Sequence, residues 1–320
     1  MQLTPRSVGE LLTEGIALLR RWWRTFAIAA LPFCVLELLC RDALLMVLGT
    51  IVRSLDPELP LEAAGAVLAN KLAQAAACGA ALALTSWMLA VVGTFATEGA
   101  LRDEVIEPRE LIARGFRRAP QLLLTALLWG GIVTLVVLVP PPLLLVGALA
   151  ISPTPLTGII AGLVGLLWFV IALVMMGLRF ALWPQILALE ERFGRAALAR
   201  SVALMGPRGV SFTTSPKLRL SLLLLVYFAL QSAVQQLFLL PTLLQGFQHT
   251  PPFSGDLSLW ALPLYLAAPL AALQVASNSL LLPLAAVFST LFYRDLRIRF
   301  EGVGIDDHGS QSSLVNMGTP

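Results

Sequence analysis

Apolar runs at residues 25–44, 72–95, 121–144, 156–178, 218–240 and 262–292 are separated by charged or proline-containing segments. Each reaches the length of ~20 residues that a helix needs to cross a bilayer. The pattern predicts an all-α fold, a polytopic membrane helix bundle of six transmembrane helices within one integral membrane domain, residues 1–302. The polar Gly- and Ser-containing tail, 303–320, has too little apolar content to order itself and is expected to be disordered.

The polar segments carry a pattern of their own. In residues 5–20, Val8, Leu11, Leu12, Ile16 and Leu19 share one face at helical spacing, while Glu10, Thr13 and Glu14 take the other. That is the pattern of a helix lying in the membrane surface. Pro5 suits its first turn, and Arg20, Arg21 and Arg24 suit the headgroup level, with Trp22 and Trp23 as interfacial anchors. Amphipathic stretches also precede the third and fifth runs. Aligned without gaps, GELLTEGI from Gly9, RELIARGF from Arg109 and RAALARSV from Arg195 share an aliphatic fourth position (Leu12, Ile112, Leu198). Their seventh position is small (Gly15, Gly115, Ser201). The expectation is three repeated units, each an interfacial helix followed by a transmembrane hairpin, since internal repeats are common in membrane folds. The competing account is that any surface helix rich in Leu and Arg would align this well.

Composition agrees with the membrane class: 58% of residues are hydrophobic and 13% charged, where a soluble domain is roughly half apolar and a quarter charged. The net charge of +3 does not point to nucleic acid, because the basic residues sit beside the apolar runs. Of 22 Lys and Arg, only Arg41, Arg53 and Lys71 fall on one side of the expected bundle. That bias puts both termini in the cytoplasm, and the expected location is a bacterial cytoplasmic (inner) membrane. The N-terminal stretch has no long apolar core or small-residue cleavage site, so the first run is expected to stay as a span. Cys34, Cys40 and Cys78 match no disulfide or metal spacing and read as small hydrophobes.

Polar groups inside the runs are few. Glu37 and Arg41 stand four apart in the first, which predicts an intrahelical pair, with a proton-linked carboxylate as the alternative. Gln231 and Gln235 share a face of the fifth run, and Gln274, Ser277 and Asn278 share one of the sixth. Such groups are costly against lipid and should face the bundle, as interhelical hydrogen bonds or as the lining of a path. Pro140, Pro141 and Pro142 should end or bend the third run. Gly158 and Gly162 give the fourth a small face for helix packing. Residues 45–70 read as an outer loop with a partly apolar helix.

On the cytoplasmic side, Glu190, Arg195, Arg200, Ser201, Asp295, Arg297 and Arg299 form a candidate charge network. It would tie the interfacial helices into a basic collar that attracts anionic lipid headgroups. No catalytic constellation is visible. His249 and His308 are far apart, and no P-loop, GxSxG or HExxH occurs. Enzymatic activity, cofactors and metals are not expected.

The segment ALEERFGRAALARSVALMGPR, with Glu190, Gly194, Ala197, Leu198, Arg200, Ser201, Leu204 and Gly206, resembles a pattern in which a span ends in an acid followed by an "AL-RS--L--G" helix. LFYRDLRIRFEG, with Phe292, Tyr293, Asp295, Leu296, Arg297, Arg299, Glu301 and Gly302, resembles a closing "YYDLR-R-EG". SVGELLTEGIALLRRWWRTF is similar to an opening helix of the same set. Together these resemble the glycerophosphoryl diester phosphodiesterase membrane-domain family, although Arg294 interrupts its aromatic-Asp sequence. In some of its relatives this membrane region is joined to a soluble barrel that supplies catalysis. The nineteen residues after Glu301 cannot hold such a barrel, so activity is not expected to carry over. The leading expectation is a non-enzymatic membrane domain with an anchoring, assembly or regulatory role that interacts with anionic lipid or with a protein partner whose identity the sequence leaves open. A transporter or permeation pathway for a small solute or lipid is the alternative.

Overall fold

Ser7 and Glu10 start the first helix with a capping box. The Ser7 hydroxyl accepts from the Glu10 amide at 3.2 Å, and the Glu10 carboxylate accepts from the Ser7 amide at 2.5 Å. The structure is a computed structural model that describes residues 6–54, 61–152, 154–206, 215–249 and 262–302. The expected tail, 303–320, lies outside these. Helix α1 (Val8–Ser54) departs from helical geometry at Trp22 (φ −111°, ψ 20°). The amphipathic stretch and the apolar run are thus two segments meeting at a kink, at the boundary the tryptophans predict.

Helix α2 (Leu61–Leu101) is 41 residues long, roughly 60 Å at 1.5 Å per residue. The segment expected as an outer loop is therefore mostly a continuation of α1 and α2. No proline interrupts 33–54 or 61–101, and their Ala- and Leu-rich composition favours helix. Residues 55–60 lie outside the described set.

Next come α3 (Pro108–Arg117), α4 (Ala119–Val133), a π-helical turn (Thr134–Leu138) and α5 (Pro140–Ile151). The three prolines do not end the third run. Pro140 has no N–H to donate to the Val136 carbonyl, and the Val139 amide bonds back to Thr134 at 3.0 Å, which is the wider π pattern. The freed Val136 carbonyl accepts from the indole N–H of Trp168 on α6 (Pro155–Arg179) at 3.1 Å.

A break at Phe180–Leu182 separates α6 from the short helix α7 (Trp183–Leu189), whose residues from Trp183 to Ala188 are all buried. Ser201 of α8 (Arg195–Met205) bridges that break: its hydroxyl donates to the Arg179 carbonyl at 3.2 Å and accepts from the Leu182 amide at 3.3 Å. Trp87 of α2 sits edge-on to Trp129 of α4 and to Trp183, at 5.2 and 5.3 Å between ring centres. Helices α9 (Pro216–His249) and α10 (Leu264–Glu301) complete the chain.

Among the described residues, five helical stretches are long and apolar enough to cross a membrane: Leu68–Leu101, Ala119–Ile151, Leu156–Leu189, Pro216–Phe238 and Leu264–Glu301. The first apolar run is helical but is not one of the five, and it carries Glu37, Arg41 and Asp42. The chain is a helical, multi-pass membrane protein. Its centre is α10, which packs on α1, α2 and α9. The apolar window of α10 is 56% buried, against 11% for Leu156–Leu189.

The amphipathic segments dock through small residues. A Cβ on Gly15 would lie 2.6 Å from the ring of Phe288 on α10, and one on Gly115 would lie 2.5 Å from Val92 on α2. Only a hydrogen at these positions lets the helices approach this closely.

Candidate functional site

Polar side chains gather in two places, both against α10. The first is where the end of α10 meets α7, α8 and the start of α1. Asp295 is 1% exposed and accepts from Arg219 Nη1 at 2.9 Å, from Arg299 Nε at 2.8 Å and from the Arg6 amide at 2.8 Å. Arg219 and Arg299 each also donate to the Arg6 carbonyl at 2.6 Å. One buried carboxylate and two guanidiniums therefore clamp both backbone polar groups of a single residue, Arg6. This fixes where α1 begins relative to α9 and α10.

On another face of α10, both oxygens of Glu190 accept from Arg200 Nε at 3.1 Å, and Tyr293 donates its hydroxyl to Glu190 at 2.6 Å. Arg192 Nε stands 3.2 Å from the same carboxylate. Glu301 pairs with Arg200 and, at 3.1 Å, with Arg297. Burial pushes the Arg200 pKa down, but the Glu190 and Glu301 carboxylates outweigh it and the net shift is upward. At this end of the bundle three carboxylates are shared among five guanidiniums, which leaves it net basic.

Of the expected network, Glu190, Arg200, Ser201, Asp295, Arg297 and Arg299 stand at this end of the bundle, divided between the Glu190 cluster, the Asp295 clamp and the α6–α7 bridge. Arg195 does not join them. It is exposed at the first turn of α8 and makes no ion pair among the described residues. Arg219 was not anticipated. Its signal was a basic residue lying one turn inside an otherwise apolar segment.

The second place is between α1, α9 and α10. Gln235 Nε2 donates to Asn278 Oδ1 at 2.8 Å, Gln231 Nε2 donates to the same oxygen at 3.3 Å, and Gln274 Nε2 donates to Gln235 Oε1 at 2.6 Å. The structure thus joins all four residues of the expected polar face. It adds Arg41, whose Nη1 donates to Gln235 Oε1 at 2.9 Å. The intrahelical pair expected of Arg41 with Glu37 is not among the ion pairs of the described residues. Arg41 turns to α9 instead and stands 3.7 Å from Asp42, itself 4% exposed. Three buried atoms of the cluster, Gln231 Oε1, Gln274 Oε1 and Asn278 Nδ2, have no hydrogen-bond partner among the described residues.

Comparison with protein-family models, with curated proteins and with solved structures finds no match. The class of this protein therefore rests on its own fold: a multi-pass helical membrane protein with one ion-paired end and one amide cluster among its apolar helices.

Proposed function

We propose that the chain is a non-enzymatic membrane domain of a bacterial cytoplasmic membrane, anchoring, assembling or regulating a protein partner and engaging anionic lipid on a basic cytoplasmic face. In this reading the segment 25–44 crosses as a sixth span, and both termini are cytoplasmic. The observation that carries it is the ion-paired end of α10, where Asp295 and Glu190 tie α1, α7, α8 and α9 together. Such a network holds a shape rather than performing a reaction. The Lys and Arg bias supplies the orientation, and the resemblance to the glycerophosphoryl diester phosphodiesterase membrane-domain family is in keeping with an accessory membrane role.

Three repeated units are part of the proposal. The third aligned position (Leu11, Leu111, Ala197) is 0% exposed in all three segments, and the seventh (Gly15, Gly115, Ser201) is buried in all three. Each segment also docks on the second helix of the hairpin before it in a cyclic order: Gly115 on α2, Ser201 on the α6–α7 break, and Gly15 on α10. The test is purification in native lipid followed by mass spectrometry of what remains bound. A stoichiometric protein or anionic lipid is expected, and a bare chain that needs neither would refute the reading.

The unpartnered amide atoms favour a second reading, a permeation path along α1, α9 and α10. Buried polar groups left without partners inside a membrane are costly and mark functional positions. In liposomes, Gln235→Leu and Asn278→Leu that stay folded should abolish solute flux. Unchanged flux would remove this reading.

A further inference from the structure

At the ion-paired end, a pocket of about 200 Å³ lies between the end of α2, the connection 102–107, the end of α7 and α10. Part of its lining is apolar, from Phe95, Ile106, Ala188 and Leu189. The charged part has four guanidiniums, Arg102, Arg114, Arg294 and Arg297, against two carboxylates, Glu98 and Glu104. The backbone holds this wall in place, because the Glu104 amide bonds to the Gly99 carbonyl at 2.9 Å and closes the last turn of α2.

Three of these arginines, Arg102, Arg114 and Arg297, are not used up by their partners. Arg297 pairs with Glu301 at 3.1 Å and Arg114 pairs with Glu110 at 2.7 Å. Arg102 is exposed and makes no ion pair among the described residues. A guanidinium has five N–H donors in a planar fork, so one carboxylate leaves donors over. Planar forks match the oxygens of a phosphate or a carboxylate two at a time, and several forks around one pocket suit the more highly charged phosphate.

We propose that this pocket binds a phosphoryl group, either the headgroup phosphate of an anionic phospholipid or a soluble phosphate. The proposal rests on the reading of this face as cytoplasmic and lipid-engaging. It narrows that reading from a diffuse basic surface to one site. The apolar wall beside the arginines suits a ligand that is charged at one end only. Arg102 and Arg114 are the adjustable contacts, being exposed and remote from the Asp295 clamp.

The test uses the full chain in nanodiscs of phosphatidylcholine alone and of phosphatidylcholine mixed with phosphatidylglycerol, with bound lipid counted by native mass spectrometry. A second arm titrates inorganic phosphate into the phosphatidylcholine discs and follows thermal stability. Arg102→Ala combined with Arg114→Ala is expected to weaken phosphatidylglycerol or phosphate binding by at least about tenfold. Arg117→Ala, which removes an exposed charge of α3 outside the pocket, should leave binding unchanged. A response confined to the lipid arm assigns the headgroup, and one in the phosphate arm assigns a soluble ligand. Equal losses in the Arg117 variant and the pocket variant would overturn the site while leaving general lipid attraction intact. No preference for phosphatidylglycerol and no phosphate effect in the unaltered protein would overturn both.

Discussion

Arg41 donates to Gln235 Oε1 across the α1–α9 interface at 2.9 Å, and this bond sets the direction of every amide in the cluster. A guanidinium has no acceptor, so the Gln235 atom facing it must be the carbonyl oxygen. Gln235 Nε2 is then the donor to Asn278 Oδ1, and Gln274 must present its Nε2 to Gln235. Asn278, oriented in this way, can receive from Gln231 but has nothing to receive its own Nδ2. One charge from the first helix thus explains both the order of the network and its three unpartnered atoms.

Stability should rank accordingly. Gln235→Leu takes the acceptor from Arg41 and Gln274 at once, leaves Asn278 only its 3.3 Å bond from Gln231, and should cost about 1–3 kcal/mol. Gln231→Leu removes a 3.3 Å bond together with an orphaned carbonyl and should be neutral or stabilising. Thermal unfolding in detergent micelles gives the ranking, and the reverse order would refute the directional argument.

The Asp295 clamp predicts a steep contrast between two acids. Asp295→Asn leaves Arg219, only 9% exposed, facing a neutral group, and breaking one side of a buried pair costs about 3–5 kcal/mol. Glu191 also pairs with an arginine, Arg118, but its side chain is 71% exposed. Glu191→Gln should therefore cost about 0–1 kcal/mol. Protease sensitivity at the N-terminus offers a second readout, since the single oxygen left in the Asp295 variant cannot serve both the Arg6 amide and the two guanidiniums.

Trp168 and Pro140 should be coupled although they do not bond to each other. The indole N–H serves the Val136 carbonyl because Pro140 cannot. Trp168→Phe should cost about 0.5–1.5 kcal/mol in the native background. After Pro140→Ala, which restores a helical N–H, the same change should cost close to nothing. A double-mutant cycle measures this coupling, and additive effects would show that the two positions are independent.

Local rules reached as far as single helices and no further. The i, i+4 spacing of Gln231 with Gln235 and of Gln274 with Asn278 was enough to put each pair on one face, and the structure brings those faces together. Sequence spacing also offered Arg41 its near neighbour Glu37, and nothing local reveals that Gln235 of α9 is the acceptor it meets. The proline triplet was legible only in part for the same reason. Its effect on the backbone was legible, but the donor that makes the helix tolerable there comes from α6. Arg195 was placed near Glu190 by proximity in the chain. The turn at Gly194, with φ +59°, leaves it exposed on the far side. Burial of the Asp295 clamp could not be read at all, because Arg6, Arg219 and Asp295 are brought together only by the packing of three helices.

The amphipathic segments give the last prediction, which separates helix propensity from packing. Replacing Gly by Ala inside a helix normally gains roughly 0.5–1 kcal/mol. Gly79 of α2 has no heavy atom within 4 Å of the new methyl, so Gly79→Ala should show that gain. At Gly15 the methyl would meet Phe288, which is 1% exposed, and at Gly115 it would meet Val92, also 1% exposed. Both neighbours are buried in the packed core, so Gly15→Ala and Gly115→Ala should each lose about 1–3 kcal/mol through overpacking. Ser201→Ala, at the aligned position, loses both bonds across the α6–α7 break and should fall in the same direction. Thermal unfolding of the four variants decides the matter. A gain at Gly15 or Gly115 would mean that those segments sit loosely, and the docking order inferred for the three units would lose its physical basis.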